Sequence, residues 1–123
     1  MSLVVIEKAL EEYDNDSEKH IDKCFDVASS EWRKILEKIR KSLKPGEKQI
    51  FYLLTAETGE KYRHELTRRN VKIYDTNTNK KLETSSWSDY LECSSLFPVE
   101  ARIVVGEIKR LKETNNQLYQ LIK

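Results

Sequence analysis

The stretch "KPGEKQIFYLLTAETGEKYRHEL", residues 44–66, decides the fold. Before it, apolar residues recur every three or four positions, the period of a helix. After Pro45 and Gly46 the period drops to two. Pro45 disfavours helix in the residue before it, and Gly46 permits the chain to turn. "QIFYLLTA", 49–56, is short, apolar and aromatic-rich, and "ETGEK", 57–61, has the composition of a hairpin loop. In "KYRHEL", 61–66, Tyr62, His64 and Leu66 alternate with Lys61, Arg63 and Glu65. A third strand, "VKIYD" at 71–75, follows "TRRN". "TNTNKK" at 76–81 supplies turn residues, and "KLET" at 81–84 pairs back. The spacing predicts a small antiparallel meander of three to four strands over 48–84.

Upstream, Ile21, Cys24, Phe25, Ala28, Trp32, Ile35, Leu36, Ile39 and Leu43 form one helical stripe. Lys38, Arg40, Lys41 and Lys44 crowd its last turns, where cations complement the helix dipole. A shorter helix precedes it from Leu3 to Tyr13, with Val5, Ile6, Ala9, Leu10 and Tyr13 on one side. "DNDS", 14–17, breaks the two apart and caps the second. Downstream, "SSWSDYLECSSLF", 85–97, reads as a short capped helix burying Trp87, Tyr90 and Leu91. Pro98 and Glu100 suit the start of a last one. The expectation is a single α+β domain over 1–123: two N-terminal helices (one long), the meander, a short helix and a C-terminal amphipathic helix.

That last helix carries coiled-coil-like heptads. Ala101, Ile108, Asn115 and Ile122 take a positions, and Val104, Leu111 and Leu118 take d. β-branched a residues with leucine at d favour a parallel pair, and one asparagine at a fixes register and strand number. Dimerisation is therefore expected through Val104, Ile108, Leu111, Asn115, Leu118 and Ile122, with 101–123 as the start of a dimerisation helix. The competing expectation is that the stripe packs on helix 21–43 of its own chain.

The net charge of +1 conceals segregation. Residues 1–32 hold three Lys/Arg against nine Asp/Glu, residues 33–81 hold fourteen against six, and residues 82–123 hold five against six. The middle segment is thus +8, enough to attract a polyanion. Lys41, Lys44, Lys61, Arg63, Arg68, Arg69, Lys72, Lys80 and Lys81 are the candidate contacts, interleaved with Tyr52, Tyr62 and Tyr74. Nucleic acid and an acidic protein are the two partner classes such a surface fits. "IYDTNTNKKLET", 73–84, followed by Tyr90 and Leu91, resembles in spacing the hairpin-then-helix of methyl-CpG-binding domains. The paired arginines of that family are not evident and Asn79 stands for a turn glycine, so the resemblance implies shape alone.

Catalytic chemistry has little support. Cys93 in "ECSSL", 92–96, lies beside a carboxylate, which disfavours a thiolate. His64 is the nearest thing to a base and alternates like a half-buried strand residue. His20 and Cys24 share a helix face, but two ligands make no structural zinc site. Gly46, Gly59 and Gly106 are isolated, so there is no phosphate loop. No cofactor, metal, catalytic residue or small-molecule substrate is expected. No apolar run reaches the roughly 20 residues of a membrane span. The N-terminus lacks a basic leader, and the two cysteines suit a reduced, intracellular setting, cytoplasmic or nuclear. The expectation is a non-catalytic protein–protein interaction or scaffold module, a homodimer presenting a basic sheet, its protein partner unidentified. The alternative is a small nucleic-acid-binding protein. A third reading, an inhibitor encoded by a virus or mobile element, fits the size and has no residue of its own.

Overall fold

The computed structural model describes residues 2–55, 58–114 and 119–120. Two helices, α1 (Ser2–Asn15) and α2 (Ser17–Ser42), form an antiparallel hairpin. Four strands follow: β1 (Lys48–Thr55), β2 (Glu60–Thr67), β3 (Val71–Asp75) and β4 (Lys81–Ser85). They pair in chain order, each antiparallel to the next. A short α3 (Trp87–Glu92) and α4 (Pro98–Glu113) follow. The α+β order expected from the sequence is the order found.

The local signals act as their chemistry requires. The break between α1 and α2 is a single residue, Asp16. Its carboxylate accepts the Lys19 N–H at 3.3 Å. Ser86 accepts the Asp89 N–H at 3.1 Å and starts α3. Glu100 accepts the Phe97 N–H at 3.1 Å at the start of α4, with Pro98 in its first turn. In the hairpin between β3 and β4, Asn79 adopts φ 58°, a left-handed conformation that asparagine tolerates better than most residues.

One core unites the elements. Trp32 of α2 meets Phe51 of β1 edge-on, ring centroids 5.7 Å apart. Ile6, Ile35, Leu36, Ile39, Leu66, Val71 and Ile108 are all fully enclosed. Each such side chain contributes roughly 1.5–3 kcal/mol through burial. Two details differ from the periodic reading. On α1 the buried stripe runs through Leu3 rather than Val5, because α1 is covered by both α2 and α4 and the seam between them sets its facing. Ile21 stays exposed at the start of α2, beyond the reach of the sheet.

The sheet has a clear inside and outside. Gln49, Phe51 and Leu53 of β1 share a face with Leu66, His64 and Tyr62 of β2. Burial of Gln49, Phe51, Leu53 and Leu66 marks that face as the one against the helices. The opposite face carries the alternate residues.

Candidate functional site

The outward face is built by strand register. Tyr52, Arg63, Tyr74 and Lys81 form one row across all four strands. Ile50, Glu65, Lys72 and Thr84 form the adjacent row. In the first row the Arg63 guanidinium lies 4.5 Å from the Tyr74 ring centre, a cation–π stack. Arg63 also donates from Nε to Glu65 at 3.0 Å and from Nη2 to Asn79 at 2.7 Å. It is thus held by three partners, Tyr74, Glu65 and Asn79, with Tyr52 as its cross-strand neighbour on the other side. Lys48 takes the other oxygen of Glu65 at 3.3 Å. Glu65 is the sole carboxylate in these two rows, and it is already shared by two cations. The Lys48 pair, exposed on the lysine side, is weak, below about 1 kcal/mol; the Arg63–Glu65 pair is part-buried and orders the face.

The nine basic residues singled out in the sequence are not one patch. Lys72, Lys81, Arg63 and Lys61 lie on the outward face. Lys80 closes the β3–β4 turn, which Thr76 ties to β2 by donating to the Lys61 carbonyl at 3.2 Å. At the other end of β2, Arg68 and Arg69 sit exposed in the turn to β3. Arg68 joins Lys41, Lys44 and Arg40 around a groove at the C-terminal end of α2. Strand rise puts Lys61 and Arg68 roughly 23 Å apart. The cations therefore form a band along the sheet that ends in a basic groove. Tyr62, grouped with the surface tyrosines from sequence, belongs to the inward row with Leu53.

The first half of the terminal seam packs within its own chain. Val104, Ile108 and Leu111 are buried in the core of their own chain, as is Ala101. α4 ends at Glu113. At its end the Thr114 hydroxyl donates to the Arg110 carbonyl at 3.1 Å and to the Leu111 carbonyl at 3.2 Å. Asn115, Leu118 and Ile122 lie outside the described residues. Tyr119 packs against the same core, beneath Lys112. Half the heptad seam is thus occupied in cis. A periodic stripe of Val, Ile and Leu cannot by itself distinguish a neighbour in the same chain from one in another.

α4 also guards the sheet edge. Glu107 accepts the Tyr52 N–H at 2.9 Å, and Arg110 donates to the Ile50 carbonyl at 3.2 Å. Glu107 and Arg110 are paired with each other at 3.0 Å. Together they occupy backbone groups of β1 that would otherwise offer a pairing edge.

Beneath the sheet lies a half-open cavity that sequence reasoning missed. A cavity of about 200 Å³ is bounded by Trp32, His64, Ile73, Glu83, Tyr90, Cys93 and Glu100, among others. His64 Nδ1 is 2.8 Å from Tyr90 Oη, and the rings are tilted at 5.7 Å. Burial drives the His64 pKa down to about 4, so the ring is neutral at pH 7. Burial likewise pushes the Tyr90 hydroxyl well above its usual range. The sequence held one signal for this: His64 alternates into a buried register, where a polar ring needs a partner. The fold brings His64 and Cys93 to the same cavity. Cys24, by contrast, is a core residue whose thiol is pushed up by burial. Among the described residues no cluster of His, Cys, Asp or Glu is arranged to hold a metal ion. Nor is any described helix long and apolar enough to cross a membrane.

No family model, no curated protein and no solved structure matches this chain.

Proposed function

We propose that the protein is a non-catalytic binding module that holds a single-stranded nucleic acid along the outward face of its sheet. The observation that carries this reading is the row Tyr52–Arg63–Tyr74–Lys81. Tyr52 is 40% exposed, and Arg63 is held in place by Tyr74, Glu65 and Asn79. Unpaired bases stack on aromatic rings and on guanidinium planes, and every base offers such a face. Lys61, Lys72 and Lys80 flank the row, with no carboxylate partner among the described residues, and are positioned for phosphates. The groove of Arg40, Lys41, Lys44 and Arg68 extends the path around the end of the sheet.

An acidic protein would use the cations and leave the tyrosines unexplained. A second copy of the chain is the weaker reading, because Val104, Ile108 and Leu111 already face their own core. Fluorescence anisotropy with a labelled single strand and the matching duplex, at low and moderate salt, tests the proposal. The single strand is expected to bind more tightly than the duplex, and the affinity to fall as salt rises.

A further inference from the structure

We infer that the preferred ligand is a duplex with a single-stranded tail. The sheet face takes the tail, and a second basic surface on the outer side of α2 takes the duplex. This rests on the single-strand reading of the sheet and adds a second site to it.

Two grooves run along the C-terminal half of α2. One is lined by Ser30, Arg33, Lys34, Glu37, Lys38 and Lys41. The other includes Arg40, Lys41, Lys44 and Arg68, and again Glu37. Because they share Glu37 and Lys41, they form one continuous channel. Trp32, Ile35, Leu36 and Ile39 are buried in the core, while Lys34, Lys38 and Lys41 follow one another by four and three on the exposed side of the helix.

The charge of the channel is lopsided. Glu37 is the one carboxylate among its lining residues. Three cations are already engaged. Arg33 donates to the Leu91 carbonyl and to Ser95 Oγ, both at 3.1 Å, Lys34 meets Glu31 at 3.1 Å, and Arg40 lies over the Trp87 ring. Lys38, Lys41, Lys44 and Arg68 are exposed, with no ion-pair partner among the described residues. The helix dipole accounts for cations in the last turn, Arg40 and Lys41. Lys34 and Lys38 lie beyond its reach.

One difference between the two surfaces decides the ligand. The sheet row sets Tyr52 and Tyr74 beside its cations, whereas no aromatic ring lines the channel among the described residues. A single strand has free bases to stack on rings, so the sheet favours it. A duplex hides its bases and presents one phosphate charge per about 1.7 Å, twice the density of one strand. Cations without rings therefore favour the duplex. Lys34 and Lys41 are about 10 Å apart along the helix, opposite a stretch of duplex that carries about six charges. Arg68 joins the surfaces. It lines the channel and follows β2 directly, about 17 Å of strand from Arg63. A tail that leaves the duplex at Arg68 thus runs onto the sheet row.

The test is fluorescence anisotropy of the full chain at low salt with three labelled DNAs of equal total length. These are a single strand, a blunt duplex, and a duplex with a tail of about 12 nucleotides, within the site sizes of such surfaces. Both tail polarities are measured. The better tailed duplex is expected to bind about tenfold more tightly than either of the others, with a salt slope steeper than the single strand's by about 3, for roughly four further phosphates. Lys34→Gln with Lys38→Gln changes two exposed residues outside the sheet, and its melting curve checks the fold. It should weaken the tailed duplex by about fivefold or more, lower its slope by about 2, and leave the single strand unchanged. Equal affinity for the tailed duplex and the single strand would overturn the inference and leave the sheet reading intact. A blunt duplex that binds as tightly as the tailed one would overturn it too, as would an equal loss for single strand and tailed duplex in the α2 variant. If neither the single strand nor the tailed duplex binds, both readings fall.

Discussion

The Glu107 carboxylate accepts the backbone N–H of Tyr52 at 2.9 Å, so a helix side chain stands where a neighbouring strand would pair. Replacing Glu107 with Ala removes the acceptor and releases Arg110 from its ion pair. Hydrogen bonds to charged groups contribute roughly 1.5–3 kcal/mol when buried, and this one is partly exposed, so a loss of about 1–2 kcal/mol is expected. The bared β1 edge should also promote association at high concentration. Urea denaturation and light scattering read the two effects. Glu107→Gln keeps an acceptor and should retain most of the stability. An alanine variant with unchanged midpoint and mass would show that Glu107 does not hold the edge.

His64 makes stability depend on pH in a defined window. Its folded pKa of about 4 lies below the ordinary value of 6.5, because burial penalises the charged ring. The unfolded chain therefore binds the proton first as pH falls. Stability is complete above pH 6.5 and declines between 6.5 and 4, by at most about 3 kcal/mol. Water in the adjoining cavity would reduce that figure. Comparing urea midpoints at pH 7.5 and 4.5 for the native chain and for His64→Phe isolates the histidine from the carboxylates. A native imidazole that titrates near 6.5 by NMR would contradict the burial argument.

Tyr90→Phe removes the hydroxyl that meets His64 Nδ1 and leaves that nitrogen poorly satisfied. The expected cost is about 1–3 kcal/mol in unfolding free energy, far more than a surface tyrosine would show. In the double variant with His64→Phe the penalty should shrink, since the two groups form one unit. A cost that is simply additive in the two sites would separate them.

The architecture was legible because local chemistry and global packing agree. The change of period at Pro45–Gly46, the Asp16 and Ser86 caps, and the alternation of Tyr62, His64 and Leu66 each needed only neighbouring residues. The cavity was not legible, since Trp32, His64, Glu83, Tyr90 and Glu100 come from five elements and meet only after folding. The basic residues could be counted but not sorted: one position of register decides whether a tyrosine such as Tyr62 faces inward or outward. The heptad stripe of α4 was visible, yet its partner was not, because apolar burial has no directional label.

Occupation of that seam in cis has its own consequence. Ile108 is fully buried within the chain, so Ile108→Ala should cost roughly 2–5 kcal/mol and leave the native oligomeric state unchanged. Light scattering at tens of micromolar should give the same mass for both proteins. A native dimer that becomes a monomer on this substitution would restore the trans reading of α4.

The central claim is that the row of Tyr52, Arg63, Tyr74 and Lys81, with its flanking lysines, binds single-stranded nucleic acid. The decisive measurement is anisotropy of a labelled single strand against salt, for the native chain and for Lys72→Glu with Lys81→Glu. With about four phosphates engaged, the slope of log K against log salt should be near −3. The double variant should bind at least tenfold more weakly at low salt with its melting curve intact. Binding that is absent at low salt, or equal in the native chain and the variant, would contradict the claim.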